Sequence, residues 1–254
     1  NAEATAATIC TDLEGRKRYG AAVVGHAVAL HQGFGYMLGA GTAKLTKFDL
    51  ATGRLAPFTT GVSEFAVAAQ TPGEDWNSRR WGLFGVAVLG ERLIVSSRTD
   101  NRLLLFDLAS GEAKGEVEVE APSGLAAGPN GELYVLSSRR LGRCDLAANR
   151  FDPLSEELDG SQHVACDAEG NLYVSLQGQT MQVWKLSPKG KVLQKFGKAG
   201  GRPLLGTFDP TGMLNPYGIA VDKNGRLWVA EADPKPKRYS VWNPNGTLWK
   251  EFFG

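Results

Sequence analysis

The stretch Leu214–Gly254, LNPYGIAVDKNGRLWVAEADPKPKRYSVWNPNGTLWKEFFG, decides how this chain folds. It reads as four short strands joined by turns. Tyr217-Gly218-Ile219-Ala220-Val221 is the first strand and Asp222-Lys223-Asn224-Gly225 a turn; Arg226 to Ala230 is the second strand. A Pro-broken loop, Asp233 to Lys237, leads into Tyr239-Ser240-Val241-Trp242, and Asn243-Pro244-Asn245-Gly246 turns into Thr247 to Phe253. Alternating β-branched and aromatic residues bounded by Asn-Gly turns favour antiparallel pairing. A four-stranded unit of about 40 residues cannot bury both faces alone, so it needs neighbours of its own kind.

Those neighbours precede it. Gln162 to Val174 repeats the opening of the unit, as do Ser123 to Ala127 with Asn130 to Val135. Phe84 to Val88 with Leu93 to Val95 is another copy, and His26 to Leu30 with Tyr36 to Leu38 a weaker one. Gly85, Gly124 and His163 recur at about 39 residues, a propeller-blade period. The partner hairpins carry a second recurring word: Phe48-Asp49-Leu50-Ala51-Thr52-Gly53, Phe106-Asp107-Leu108-Ala109-Ser110-Gly111, Cys144-Asp145-Leu146, Lys185 to Gly190, and Trp242 to Gly246. Ile9-Cys10-Thr11-Asp12-Leu13-Glu14-Gly15 to Tyr19 matches them. Six outer hairpins therefore stand against five inner ones. The expectation is an all-β, six-bladed β-propeller of four-stranded antiparallel blades in a single domain, residues 1–254. Blades are expected over 25–61, 82–120, 121–160, 161–197 and 214–254, with an incomplete sixth over 8–20 and insertions at 62–81 and 198–213. The two strands missing from that sixth blade are expected beyond Gly254, the alternative being a degenerate strand over residues 1–8.

Composition narrows the function classes. The chain has 254 residues, 43% of them hydrophobic, which is ample for a core, and 32 glycines, in keeping with a turn every few residues. A formal charge of +1 provides no bulk attraction to nucleic acid or acidic membrane. No apolar run approaches the about 18 residues that span a bilayer. Residues 1–8 carry no charged-then-apolar leader pattern. The three cysteines, Cys10, Cys144 and Cys166, fit no zinc spacing and read as buried free thiols.

With the strands placed, the last blade resembles the NHL repeat. The residues are Pro216-Tyr217-Gly218-Ile219-Ala220-Val221-Asp222, Gly225-Arg226-Leu227-Trp228-Val229-Ala230-Glu231 and Arg238-Tyr239-Ser240-Val241-Trp242. Asp100-Asn101-Arg102-Leu103-Leu104-Leu105-Phe106-Asp107 carries the repeat's Asn-Arg-hydrophobic third strand, and Arg143 falls near the place of Arg238. The resemblance is strong over 82–254 and weak over 1–60. It implies six blades with their first strands lining a central channel, and it implies no single activity, because the fold hosts unrelated functions.

In NHL-like lyases, histidines just before several inner strands converge on the axis. The matching positions here are His26, Phe84, Ser123, Gln162 and Tyr217, of which one is histidine; His163 lies one residue along and, by strand alternation, should point away from Gln162. Zinc chemistry needs about three protein ligands, so the set does not support zinc. The Glu-Gly-Pro opening of the related lactonases is absent. Calcium stays open through Glu231 and Asp222, although Asp222 suits a turn and Glu231 a strand end. There is no Gly-x-Ser-x-Gly and no phosphate loop. Arg139, Arg140, Arg143 and Arg150, with Lys235, Lys237 and Arg238, form two basic groups of the kind that binds RNA, against a net charge near zero.

The insertion Val62–Trp81 holds Trp76, Arg79, Arg80 and Trp81, residue types that concentrate binding energy, or else a lid over the blades. The functional expectation is a non-catalytic binding module of a larger, secreted or periplasmic bacterial protein, without a cofactor. It would take a protein partner or a small polar, sugar-like ligand at His26, Phe84, Ser123, Gln162 and Tyr217 or at the tryptophan loop. The alternatives are a metal-dependent lyase or lactonase-type hydrolase and an RNA-binding domain.

Overall fold

The computed structural model describes residues 25–39, 43–68, 82–232 and 236–254, with the main chain alone at Gly25 and His26. These residues form five four-stranded antiparallel sheets, each with its strands in chain order, and no helix. The chain divides into two compact units, residues 1–121 and 122–254.

The first unit holds two blades. Blade 1 is β1 (Gly25–His31), β2 (Phe34–Gly39), β3 (Lys44–Asp49) and β4 (Glu64–Ala66). Blade 2 is β5 (Leu83–Leu89), β6 (Arg92–Ser97), β7 (Arg102–Asp107) and β8 (Ala113–Glu118). Tyr36, Leu38, Leu45 and Phe58 pack with Leu83, Val86, Val88, Leu93 and Val95 as one core between them.

The second unit holds three. Blade 3 is β9 (Pro122–Ala127), β10 (Leu133–Ser137), β11 (Arg140–Asp145) and β12 (Arg150–Glu157). Blade 4 is β13 (Ser161–Cys166), β14 (Leu172–Leu176), β15 (Gln182–Leu186) and β16 (Val192–Phe196). Blade 5 is β17 (Pro216–Val221), β18 (Leu227–Glu231), β19 (Arg238–Trp242) and β20 (Leu248–Phe253). Blade 4 is packed on both sides: Val164, Leu172, Val174 and Leu176 meet Tyr134 and Leu136 of blade 3, while Tyr173, Val183 and Phe196 meet Leu227, Val229 and Trp242 of blade 5. Period-two alternation sends successive residues of each strand into one interface or the other. That is why strands such as β10 and β14 are buried along their whole length.

The recurring Asp-Leu word has a local cause. Asp49 Oδ1 accepts the amide hydrogens of Ala51 and Thr52, and Asp107 and Asp145 do the same for the second and third residues after them. Each carboxylate closes the turn between third and fourth strands, the Asx geometry this residue favours.

Two expectations are corrected. The six expected blades are five among the described residues, and the hairpin over 8–20 lies outside them. Blade 1 also runs past residue 61, because Glu64–Ala66 pairs with β3 and is its fourth strand rather than part of an insertion. Phe65 explains the late strand: its ring lies 5.3 Å from Phe58 and 5.0 Å from Phe106, so it closes the core between blades 1 and 2. The insertion 198–213 is ordered, with Arg202 buried and Leu204 and Leu205 exposed.

Candidate functional site

Every innermost strand carries the same irregularity. In β5, Leu83 faces Ser97 and Val86 faces Val95, so three steps on one strand oppose two on the other. The same offset occurs between Pro122 and Leu125, between Ser161 and Val164, and between Pro216 and Ile219. In β1 a single extra residue, His26, sits between Gly25 and Ala27. These are β-bulges, which re-aim a side chain out of the pleat. The sequence candidates His26, Phe84, Ser123, Gln162 and Tyr217 all occupy them. One position per blade is thus singled out by backbone geometry as well as by repeat alignment.

The bulges need hydrogen-bond partners for their displaced amides. The Gly85 amide donates to Ser96 Oγ at 2.7 Å, and the His163 amide to Ser175 Oγ at 3.1 Å. Ser175, fully buried, then donates to the Tyr217 carbonyl at 2.8 Å, tying the bulge of blade 4 to that of blade 5. Gly124 shows how closely the inner strands approach: a Cβ there would stand 2.8 Å from His163 Cα and 2.8 Å from Val164 N.

Within the second unit this places Ser123, Gln162, His163 and Tyr217 on consecutive blades. Ser123 is buried and donates to the Leu136 carbonyl at 3.4 Å. Gln162 Nε2 donates to the Gly160 carbonyl at 3.3 Å. The His163 ring stands edge-on to Tyr217, centroids 4.4 Å apart at 73°. Burial pushes the Tyr217 phenol above its ordinary value, so it stays a neutral hydroxyl. In the first unit, the Arg98 guanidinium lies 5.6 Å above the half-buried Phe84 ring.

His163 meets one of the candidates directly. It is 8% exposed, lies in the bulge of β13 and packs its ring against that of Tyr217 on the next blade. A signal existed: glycine follows Phe84, Ser123 and Tyr217, and a glycine inside a strand marks a bulge.

The other candidates resolve differently. Trp76, Arg79, Arg80 and Trp81 lie outside the described residues. Glu231 is committed to protein partners: one oxygen takes both Arg202 nitrogens and the Leu214 amide, and the other takes Arg238 Nη1. Arg238 also binds Glu251 and the carbonyls of Gly212 and Pro210, which pins the 198–213 insertion. Asp222 caps its turn through the Asn224 and Arg226 amides and takes the Trp228 indole hydrogen. Both carboxylates are thus engaged by donors of the chain itself. Among the described residues no three His, Cys, Asp or Glu side chains converge on one point.

Of the two basic groups, Arg140, Arg143, Arg150 and Lys237 are exposed, and Lys235 lies outside the described residues. Arg238 is 1% exposed, and Arg139 pairs with Glu157 and Asp159. Cys144 and Cys166 are free thiols, pushed up by burial to about 11 and about 12.

No family model matches the chain, and no curated protein matches it. Solved structures do. A Bacteroides thetaiotaomicron VPI-5482 protein of unknown function has 15% identity and a TM-score of 0.62 over 88% of this chain and 56% of its own. The catalytically inactive H270A virginiamycin B lyase from Staphylococcus aureus, solved with quinupristin, has 15% identity and a TM-score of 0.59, covering 89% and 68%. Hydrazine synthase of Kuenenia stuttgartiensis has 14% identity and a TM-score of 0.55 over 68% of this chain, which spans about half (49%) of that one. Likeness at this level establishes the fold, a β-propeller of four-stranded blades.

Proposed function

We propose that this chain is a non-catalytic binding module on an NHL-like β-propeller, taking a small neutral, sugar-like ligand at the bulges of blades 3 to 5. One observation carries the reading. In blades 3 to 5 the bulged positions present a hydroxyl, an amide, an imidazole and a phenol, with no carboxylate or cation among them. Neutral donors and acceptors beside an aromatic ring suit a polyhydroxylated ligand, since a few placed polar groups fix orientation while a ring supplies contact area.

The test is ligand-observed NMR with a panel of neutral mono- and oligosaccharides, followed by calorimetry on any binder. The expected result is a binder whose affinity falls at least about tenfold, a loss of about 1.4 kcal/mol, in Gln162→Ala and in Tyr217→Ala. A panel without binders, or a binder indifferent to both changes, removes the reading.

A lyase is the second reading, favoured by the buried His163 ring against the Tyr217 phenol. It requires turnover of quinupristin, lost in His163→Ala; absence of turnover in the unaltered chain removes it.

A further inference from the structure

The turn that joins β14 to β15 grips the first residues of the next blade. Its Gln177 amide donates to the Gly160 carbonyl at 2.9 Å, and Gln177 Nε2 donates to the Pro216 carbonyl at 3.4 Å. Its Met181 thioether accepts the amide hydrogen of Asn215, with 3.2 Å between nitrogen and sulfur. The Thr180 carbonyl takes the Gly200 amide at 3.1 Å, and a Cβ at Gly201 would stand 2.7 Å from that of Met181, so the 198–213 insertion packs against the same turn. Asn215-Pro216 leads straight into the bulge that carries Tyr217. Met181 and Asn215 both hold left-handed backbone, φ 48°, which persists in residues other than glycine where neighbours enforce it.

Of the chain's three methionines, Met37 and Met213 are sealed at 6% and 0% exposure, whereas Met181 is half-buried. A thioether is a side chain that oxidants convert to a sulfoxide, and access decides which one reacts first. Sulfur is a weak acceptor, so its hold on Asn215 is easily undone. Oxygen addition undoes it from either side. An oxygen placed toward Asn215 has no room within the 3.2 Å that separates sulfur from nitrogen, and one placed away withdraws the density that the amide hydrogen uses.

We propose that Met181 is a modification site for peroxides, and that its sulfoxide releases Asn215-Pro216 and so weakens binding at the Tyr217 bulge. In the step, a sulfur lone pair attacks one peroxide oxygen. An S–O bond forms as the O–O bond breaks, sulfur is oxidised by two electrons, and the second oxygen leaves as water with the proton of the first. Reduction of the sulfoxide restores the thioether, which makes the change reversible. The effect on binding rests on the saccharide reading; the oxidation and the loosening do not.

Brief treatment of the full chain with hydrogen peroxide, followed by peptide mass mapping and by amide exchange without ligand, tests the site. Met181 should gain about 16 Da at least about tenfold faster than Met37 or Met213, and Asn215 should then exchange at least about tenfold faster than before. Met181→Leu keeps the bulk without the sulfur, a swap that packed interiors tolerate, and its Asn215 exchange should not respond to peroxide. Cysteine oxidation proceeds alike in variant and parent and so cancels between them. Oxidation of all three methionines at one rate overturns the proposal, as does an oxidised Met181 with exchange at Asn215 unchanged, or a leucine variant that responds as the parent does. Should that variant fail to fold, the parent decides alone through the first two readings. Calorimetry on a saccharide binder should show at least about a tenfold loss of affinity in the oxidised parent. Unchanged affinity overturns the effect on binding. A panel without binders removes the functional reading and that effect with it, while oxidation and exchange still decide the site.

Discussion

The Ser175 hydroxyl donates a 2.8 Å hydrogen bond to the carbonyl of Tyr217, forty-two residues along the chain and on the next blade. The same oxygen accepts the amide hydrogen of His163. One buried hydroxyl therefore serves two of the three bulged strands of the second unit, β13 and β17.

Ser175→Ala leaves that amide and that carbonyl without the hydroxyl. An unsatisfied buried polar group costs about 1–3 kcal/mol. Urea denaturation should show a loss in that range, and ligand affinity should fall with it because both bulges loosen. A variant as stable as the parent would show that the strands close on their own.

Gly124 and Gly218 occupy equivalent bulges but differ in the space around them. A methyl at 124 meets the main chain of His163 and Val164 at 2.8 Å, whereas one at 218 finds Ala230 Cβ at 3.7 Å, an ordinary contact. Gly124→Ala should lower stability by about 1–3 kcal/mol through overpacking. Gly218→Ala should stay within about 0.5 kcal/mol, the range of uncomplicated substitutions. Thermal melts of the two variants, side by side, check the ordering.

Glu231 lies between Arg202 and Arg238, all three side chains 0–2% exposed. Removing one member of a buried ion cluster strands the others, at about 3–5 kcal/mol. Glu231→Ala should therefore destabilise strongly and release the 198–213 insertion, detectable as faster amide exchange at Leu214, whose amide it holds. Exchange unchanged at Leu214 would mean that the guanidinium–carbonyl bonds of Arg238 suffice.

Asp167 supplies the acid limb of stability. Burial pushes its carboxyl up, but hydrogen bonds from the Asn171 side chain and amide, with the Lys185 ammonium 3.1 Å away, outweigh it and hold the net value below the ordinary range. A folded value below the unfolded one, about 3.9, gives stability that is complete above that pH and lost as pH falls through the folded value. Asp209, held at about 2 chiefly by the Thr211 hydroxyl and then by Lys198, acts in the same direction. Stability should therefore drop between about pH 4 and 2, and less steeply in Asp167→Asn than in the parent. Equal slopes would assign the acid loss to other carboxylates.

The repeat, its strands and its turns were legible in the order of residues alone. Alternation, Asn-Gly turns and the Asp-Leu word act over two to six residues, so local physics fixes them wherever the blade lies. The candidate positions Phe84, Ser123, Gln162 and Tyr217 were legible too, because the repeat aligns them. What only the tertiary structure decided is where local rules stop. The contact of His163 with Tyr217 spans two blades, and the His163 amide is held by Ser175, whose hydroxyl reaches the Tyr217 carbonyl forty-two residues away. Arg238 and Glu231 read as a surface cation and a spare acid, since nothing near them in sequence reveals Arg202 and Glu251. Long-range pairing, not local sequence, sets the partners of these charges.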